Sequence, residues 1–422
     1  MQLEKLKVRA PEILRMIPDE ELAKLASDTK VDYCSKVLKG ERMFYMLVYA
    51  MLCADRVSQR RLETVFSSAP FKTLFNFSID MKVSHSSISS RLSKIDLLFF
   101  EKAYELIYDE LSSLYTENEV RLMNLVRIDS SMVAETCNKL KEGFSVGKKP
   151  SSGESRRQAK YTVAYDGFGA RLADVFFQPA YLSEDVAMPG VLMPLIKKDK
   201  DHMNLYVFDR GMSASANFSR ISDEGAWFLG RIKTNRRMNV LRSLMTEGTG
   251  RNLGKLELVD DIVVHIFDDG GQEDMEHEYR VVKCRFKAPR DTERPKNKGK
   301  VKRVENEVYL ITNHMGLTPQ EIAEAYRRRW DIEVFFKFLK QELNFSHFLS
   351  TSENGIKVIL YMTLITAMLI MIYKRKNEIG YSDAKFCFKL DMEEWIMELN
   401  FVIKGGDPTK CNPRFIIRTR IP

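Results

Sequence analysis

Apolar residues recur at three and four spacing up to about residue 120, and from residue 124 they recur in short β-like runs. That switch of period constrains the chain more than any other feature, because neither an all-helical nor an all-β fold holds both patterns. Helices are expected over Arg42 to Cys53 and Leu97 to Leu114. Strands are expected over Leu125 to Ile128, Tyr161 to Tyr165, Ala170 to Phe177, Leu205 to Phe208 and Trp227 to Ile232. Helical stretches near Met188 to Lys197 and Ser213 to Ile221 interrupt them, which makes an α/β sheet. Lys255 to Phe267, Glu278 to Phe286 and Val308 to Thr312 read as an inserted β-rich lobe, with turn signals such as Asp268-Asp269-Gly270-Gly271 between its strands. Pro319 to Leu343 is a long helix or helix pair, and 354 to 376 another.

With 422 residues the chain is long enough for two to four domains, and 44% hydrophobic against 29% charged residues describes a packed chain rather than a disordered one. Six cysteines form no CxxC pair and none lies at structural-zinc spacing, so a reduced, zinc-free protein is expected. The N-terminus lacks the apolar core of a signal peptide, which points to the cytoplasm. The longest apolar run, Val358 to Tyr373, has 16 residues including two threonines, short of the roughly 20 that span a membrane, and reads as a buried helix.

The net charge of +8 is uneven along the chain. Asn138 to Lys160 carries seven basic residues against Glu142 and Glu154, and Lys283 to Arg303 carries ten against Asp291 and Glu293. Two loops therefore hold all the excess, either as solvated faces or as surfaces that a polyanion neutralises. In the N-terminal part, Val83 to Ile95 reads as a helix capped by Ser84, with Ile88, Leu92 and Ile95 inward and Ser87, Arg91 and Lys94 outward. Behind a candidate helix from Ser58 to Phe66 it is either half of a DNA-reading helix-turn-helix or a serine-rich surface helix. The 16-residue gap between the two is long for a tight turn.

Three acids stand where chemistry could use them. Asp129 closes the run Leu125-Val-Arg-Ile128, and Asp209 closes Leu205-Tyr-Val-Phe208. An Asp at a strand end is commonly a turn or cap, but two on adjacent strands can share a hard cation such as Mg²⁺. At about 100° per residue, Tyr326, Arg329, Glu333, Lys337 and Lys340 form one polar stripe. Ile332, Val334, Phe335, Phe338 and Leu339 cover the opposite side. The stripe is either an ordinary Arg-Glu-Lys ladder or one acid flanked by the cations that a metal-assisted phosphoryl transfer requires.

With these residues in that order, the sequence resembles the DDE transposases of bacterial insertion sequences, those with an RNase H-like core and a Y-x2-R-x3-E-x6-K signature. Tyr326, Arg329, Glu333 and Lys340 match the signature, and Ile128-Asp-Ser-Ser131, Asp209-Arg-Gly211, Leu310-Ile-Thr-Asn313 and Thr318-Pro-Gln-Glu-Ile322 are similar to its surroundings. The resemblance runs from about residue 125 to 350. It implies an RNase H-like mixed sheet with flanking helices, interrupted by a β-rich insertion, with helical N- and C-terminal regions. The expected division is 1–120 for a helical DNA-binding region, 121–235 with 308–350 for the catalytic core, 236–307 for the insertion, and 351–422 for the helical C-terminal region.

What the resemblance implies for function is cut-and-paste transposition of double-stranded DNA, acting on the element's terminal inverted repeats and on target DNA. Asp129, Asp209 and Glu333 would be the triad for Mg²⁺, with Mn²⁺ as a substitute. Tyr326, Arg329 and Lys340 would contact phosphates near the cleaved end, joined by Lys337, with Arg91 and Lys94 on the N-terminal helix. Two ends imply a homodimer in the synaptic complex, and no membrane is involved. In some relatives an aromatic residue of the insertion receives a flipped base; Trp227, at the sheet end of the lobe, is read instead as core. The rival readings are a catalytically silent DNA-binding descendant, against which the intact acids weigh, and a nuclease on the same core, which would cut without joining.

Overall fold

Polar residues with a short acceptor side chain precede the amphipathic stretches of the N-terminal third, and each caps a helix. Ser58 accepts from Arg61, Ser84 from Ser87 and Asp96 from Leu98. The structure is a computed structural model that describes residues 6–53, 57–115, 125–134, 140, 142–145, 157–199, 203–287, 306–343, 345 and 347–411, with only the backbone of Tyr381 and Ser382. The chain divides into two compact units, Met1–Glu117, Met132–Ala159 and Phe336–Pro422 in one, Asn118–Ser131 and Lys160–Phe335 in the other.

The first unit begins with α1 (Ala10–Leu14), α2 (Asp19–Thr29), α3 (Gly40–Cys53), α4 (Gln59–Ser67), α5 (Ala69–Leu74), α6 (His85–Leu92) and α7 (Leu97–Ser113). The gap between α4 and α6, long for a tight turn, holds α5, and α4 and α6 pack together, with Glu63 accepting from the His85 backbone N–H at 3.0 Å. Ile88, Leu92 and Ile95 are buried as their spacing requires. The outward placement of Arg91 is corrected: its guanidinium donates to the Leu38 carbonyl at 2.9 Å and to the Val31 carbonyl, so it ties α6 to the start of the unit, while Lys94 is exposed.

The second unit is built on a mixed sheet. The strands in chain order are β1 (Leu125–Ala134), β2 (Phe144–Ser145), which falls within the first unit, β3 (Arg157–Tyr165), β4 (Ala170–Phe176), β5 (Leu205–Phe208), β6 (Trp227–Ile232), β7 (Met238–Ser243), β8 (Asn252–Leu253), β9 (Leu256–Ile266), β10 (Tyr279–Phe286) and β11 (Glu307–Thr312). The order is β3-β1-β5-β6-β11-β10-β9-β7, with β2 and β4 on β3 and β8 on β9. Strands β1, β5 and β6 are parallel, and from β6 onward through β11, β10, β9 and β7 the pairing is antiparallel. The strands of the expected insertion are thus hydrogen-bonded into the same sheet rather than set apart from it. Between β4 and β5 runs α8 (Glu184–Lys198), which covers β4, and between β5 and β6 runs α9 (Ser215–Asp223), which packs on β6.

A polar cluster fastens α9 to the loop before β10. His277 lies between Asp223, 3.0 Å from Nε2, and Asp274, 3.2 Å from Nδ1, while Asp274 also accepts from Ser219 at 2.8 Å and Tyr279 at 3.1 Å. Burial would lower the His277 pKa, but the bonds and charges of the two aspartates outweigh it and raise it above 6.5. A histidine raised in this way contributes its full stabilisation below its unfolded pKa and loses it as pH climbs through the folded value. His277→Asn should therefore shrink the loss of melting temperature between pH 6 and pH 9, an effect on the scale of a solvent-reached ion pair, below about 1 kcal/mol. An unchanged pH profile would show that the cluster holds without the imidazolium.

After β11, Thr318 and Glu321 form a capping box with Pro319 in the first turn, and this starts α10 (Pro319–Arg327). Its apolar face joins Ile322, Ala323 and Ala325 to Val207, Leu229, Val282 and Leu310 of the sheet. A fully buried side chain of Ile322 size contributes about 1.5–3 kcal/mol, enough to fix how α10 lies on the strands. The chain then passes through a 3₁₀ turn, Arg328–Trp330, into α11 (Asp331–Glu342), so Pro319 to Leu343 is a helix pair. Along α11, Ile332, Phe335, Phe338 and Leu339 are buried as expected, but Val334 is 51% exposed and Phe336 takes an inward position, because within one helix position 336, four residues on from Ile332, shares its face while position 334, two residues on, does not.

Two long helices, α12 (Glu353–Asn377) and α13 (Tyr381–Ile403), complete the first unit. By length and composition α12 could cross a membrane, but it is largely buried, with α1, α3, α7 and α13 around it. It is the core helix expected from the run Val358 to Tyr373.

Candidate active site

The parallel register of β1 and β5 brings two of the acids together. Leu125 pairs with Leu205, and Ile128 with Phe208, so Asp129 and Asp209 are the next residues on neighbouring strands. The strand does not end at Asp129, as its run suggests; β1 continues to Ala134 while β5 stops at Phe208, and Asp129 sits just beyond the paired stretch. Its Oδ1 accepts from the Ser130 N–H at 2.8 Å, and Asp209 Oδ1 accepts from the Gly211 N–H at 2.7 Å.

The third acid arrives on the first turn of α11. Arg329, in the 3₁₀ turn, bridges Glu333 and Asp129: its Nη2 is 2.5 Å from Glu333 Oε1, and its Nη1 is 3.7 Å from Asp129 Oδ2. Tyr326 joins them, with its hydroxyl bonded to Arg329 and within the field of Asp209; burial is the main reason its pKa is raised. Lys337 and Lys340 stand one and two turns beyond Glu333 along α11, Lys337 exposed and Lys340 half-buried.

Why the segment breaks before Glu333 is visible in Arg127, a fully buried cation on β1. It donates from Nε to the Arg328 carbonyl at 3.1 Å and from Nη2 to Asp331 Oδ2 at 3.1 Å, which draws the turn onto β1. The face of Tyr165 stacks on Phe335 at 4.6 Å between centroids, and the Arg127 guanidinium lies 6.0 Å from the Tyr165 ring. Arg127 and Glu184, a further acid beside the pair, are residues the motif reading passes over. A lone Arg inside the apolar run Leu-Val-Arg-Ile was the available signal for the first; Glu184, in a polar stretch before α8, carries none.

Electrostatically the site holds more negative charge than it balances. Burial pushes the Asp129 carboxyl up to about 7; the Ser130 N–H and Arg329 oppose this, and Asp209 and Glu184 add to it as like charges. Burial would lower Arg329, but Glu333, Tyr326 and Asp129 raise it. Among the described residues no three His, Cys, Asp or Glu side chains gather at metal-ligating distance, and a guanidinium bridges two of the acids. The donor set is nevertheless all oxygen, partly desolvated and short of positive charge, which is the chemistry that fits a hard divalent cation.

Trp227, read as core, is 38% exposed at the start of β6 with its ring 4.5 Å from that of His314. The most basic parts of the two charged loops, 146–156 and 288–305, lie outside the described residues.

The transposase DDE domain family matches residues 123–369, more than half the chain. A transposase of Sinorhizobium fredii is 28% identical over 185 residues, 43% of this chain and 46% of that protein. The transposase for insertion sequence element IS4SA of Synechocystis is 30% identical over 92 residues, 20% of this chain and 27% of that one. The chain thus spans less than half the length of these curated relatives. Among solved structures, a chain of the piggyBac transposase synaptic complex with hairpin DNA gives a TM-score of 0.40 at 12% identity, over 98% of this chain and 85% of that one.

Proposed function

Because the chain belongs to the transposase DDE domain family, we propose that it is a cut-and-paste transposase that cleaves the terminal inverted repeats of an insertion sequence and joins the 3′ ends to target DNA. What supports this reading is the placement of Asp129 and Asp209 after paired residues of neighbouring parallel strands, with Arg329 reaching both Asp129 and Glu333 and Tyr326 beside it. Those three acids would hold Mg²⁺, with Mn²⁺ as a substitute. The bound ions would activate the attacking oxygen and stabilise the leaving one.

In the first reaction water attacks phosphorus at the element's 3′ end and the P–O3′ bond breaks. In the second the freed 3′-hydroxyl attacks a target phosphorus and displaces a target 3′-oxygen. Tyr326 offers a hydroxyl to the cleaved-end phosphates, and Arg329 a planar fork of donors that a phosphate takes bidentately. Lys337 and Lys340 continue the cationic track along α11, and Lys94 serves the N-terminal contact to DNA. Arg91, spent on two carbonyls, holds α6 in place. The protein works in the bacterial cytoplasm on nucleoid DNA, as a homodimer when two ends are synapsed.

The test incubates purified protein with a plasmid carrying the genomic flanks of its reading frame, with and without Mg²⁺, beside Glu333→Gln, and sequences the junctions. Joined products that require both the ion and Glu333 are expected. Cutting without joining would make the protein a nuclease, and binding alone a descendant without catalysis.

A further inference from the structure

Glu184 stands at the start of α8, after Ser183, with both carboxylate oxygens engaged. One accepts from the Ser130 hydroxyl at 2.7 Å and the other from Lys160 Nζ at 2.9 Å. Lys160, on β3, is 2% exposed and gives its ammonium also to the Leu182 carbonyl at 2.7 Å. Ser130 follows Asp129 directly, donates its N–H to Asp129 Oδ1, and has its hydroxyl 2.9 Å from Thr162 Oγ1. On the other side Glu184 packs against the turn after Asp209. A Cβ on Gly211 would come 2.7 Å from Glu184 Cγ and 2.9 Å from Asp209 Oδ1, so any side chain there would have to displace Glu184 or Asp209.

We propose that Glu184, anchored by buried Lys160, is a positioning residue that sets the spacing of the Asp129 and Asp209 carboxylates, through the Ser130 hydroxyl on one strand and the Gly211 turn on the next. A third carboxylate beside two others is repelled by them and costs desolvation, and Lys160 offsets both only while the pair stays in place. The helix N-terminus adds a favourable dipole for the same charge. Side chain, strand end and turn therefore move together: a shift of Glu184 displaces the backbone holding one Asp and the turn holding the other. Lys160 and Glu184 touch no reacting atom in this arrangement; they fix the distance between groups that do.

This inference rests on the reading of Asp129 and Asp209 as cation-binding acids, and its test separates the two. Mn²⁺ binding by the full chain is followed by electron paramagnetic resonance of the free ion, with end-cleavage kcat and KM measured in parallel. Ser130→Ala removes one hydroxyl, and Glu184→Gln keeps the shape while facing Lys160 with an amide. Groups that orient metal ligands are commonly worth 10–100-fold, so each variant should weaken Mn²⁺ binding and lower kcat by about tenfold or more, with KM for the DNA end unchanged. Ser130→Thr, which restores the hydroxyl, should recover both. Asp209→Asn is the reference. If it loses Mn²⁺ binding and cleavage while Ser130→Ala and Glu184→Gln stay within twofold of the parent, the positioning role is wrong and the active centre stands. If Asp209→Asn itself keeps both, the active-centre reading falls first. A lower melting temperature with unchanged Mn²⁺ affinity would reduce Glu184 to a structural ion pair.

Discussion

Asp209→Asn should lower end cleavage by about a thousandfold or more while leaving DNA affinity without metal within about twofold. The loss corresponds to about 4 kcal/mol, the scale of transition-state charge that a metal clamp supplies. The substitution isolates charge from shape. Asp209 lies at the end of β5, and its Oδ1 accepts from the Gly211 N–H, a bond that the amide oxygen of Asn can replace. The turn and the register of β5 on β1 and β6 should therefore survive. Removing a negative charge from the protein does not weaken its electrostatic attraction for a polyanion. Cleavage that persists in Asp209→Asn, scored on a labelled end duplex with Mg²⁺, would leave Asp209 as the cap of its turn and remove it from the triad.

The parts of this site that were legible in the sequence are those that local pattern encodes. Short β-branched and aromatic runs announced β1, β3, β4, β5 and β6, and an acid following two of them announced Asp129 and Asp209. The Ser84 cap and the spacing of Ile88, Leu92 and Ile95 announced α6. What stayed hidden depends mostly on partners distant in sequence. Arg91 looks outward on a helical wheel, yet the Leu38 and Val31 carbonyls claim it. Val334 falls in sequence on the apolar side opposite the polar stripe, yet the buried face of α11 centres on Ile332, Phe335, Phe336 and Leu339 and leaves it exposed. Strand β7 carries few apolar residues that face a core, and five of its six positions are exposed, so its pairing with β9 rather than its own sequence makes it a strand. Glu184 belongs to the same class, an acid whose meaning comes from Ser130 and Lys160.

The largest stability effect is expected far from this chemistry, where α1 meets α13. Arg9→Met should destabilise the protein by about 3–5 kcal/mol, the cost of stranding a buried charge when its partner is removed. Arg9 is 4% exposed and Asp391 is fully buried. Arg9 pairs with Asp391 through Nε and reaches Glu394 at 3.2 Å, while Asp391 also accepts from the Ala10 N–H at 2.5 Å and Tyr373 at 3.3 Å. Burial raises the Asp391 pKa and Arg9 is the main influence that opposes it, so without Arg9 the carboxylate loses most of what keeps it ionised. The double variant Arg9→Met/Asp391→Leu removes both charges and should recover much of the loss, since a buried pair replaced by apolar groups of similar volume is often neutral. Urea unfolding followed by far-ultraviolet circular dichroism reads both variants. If Arg9→Met costs less than about 1 kcal/mol, water reaches Asp391 and α1 is only lightly fastened. A large cost that the double variant recovers would show that the pair specifies where α1 docks without adding to the net stability of the helical unit.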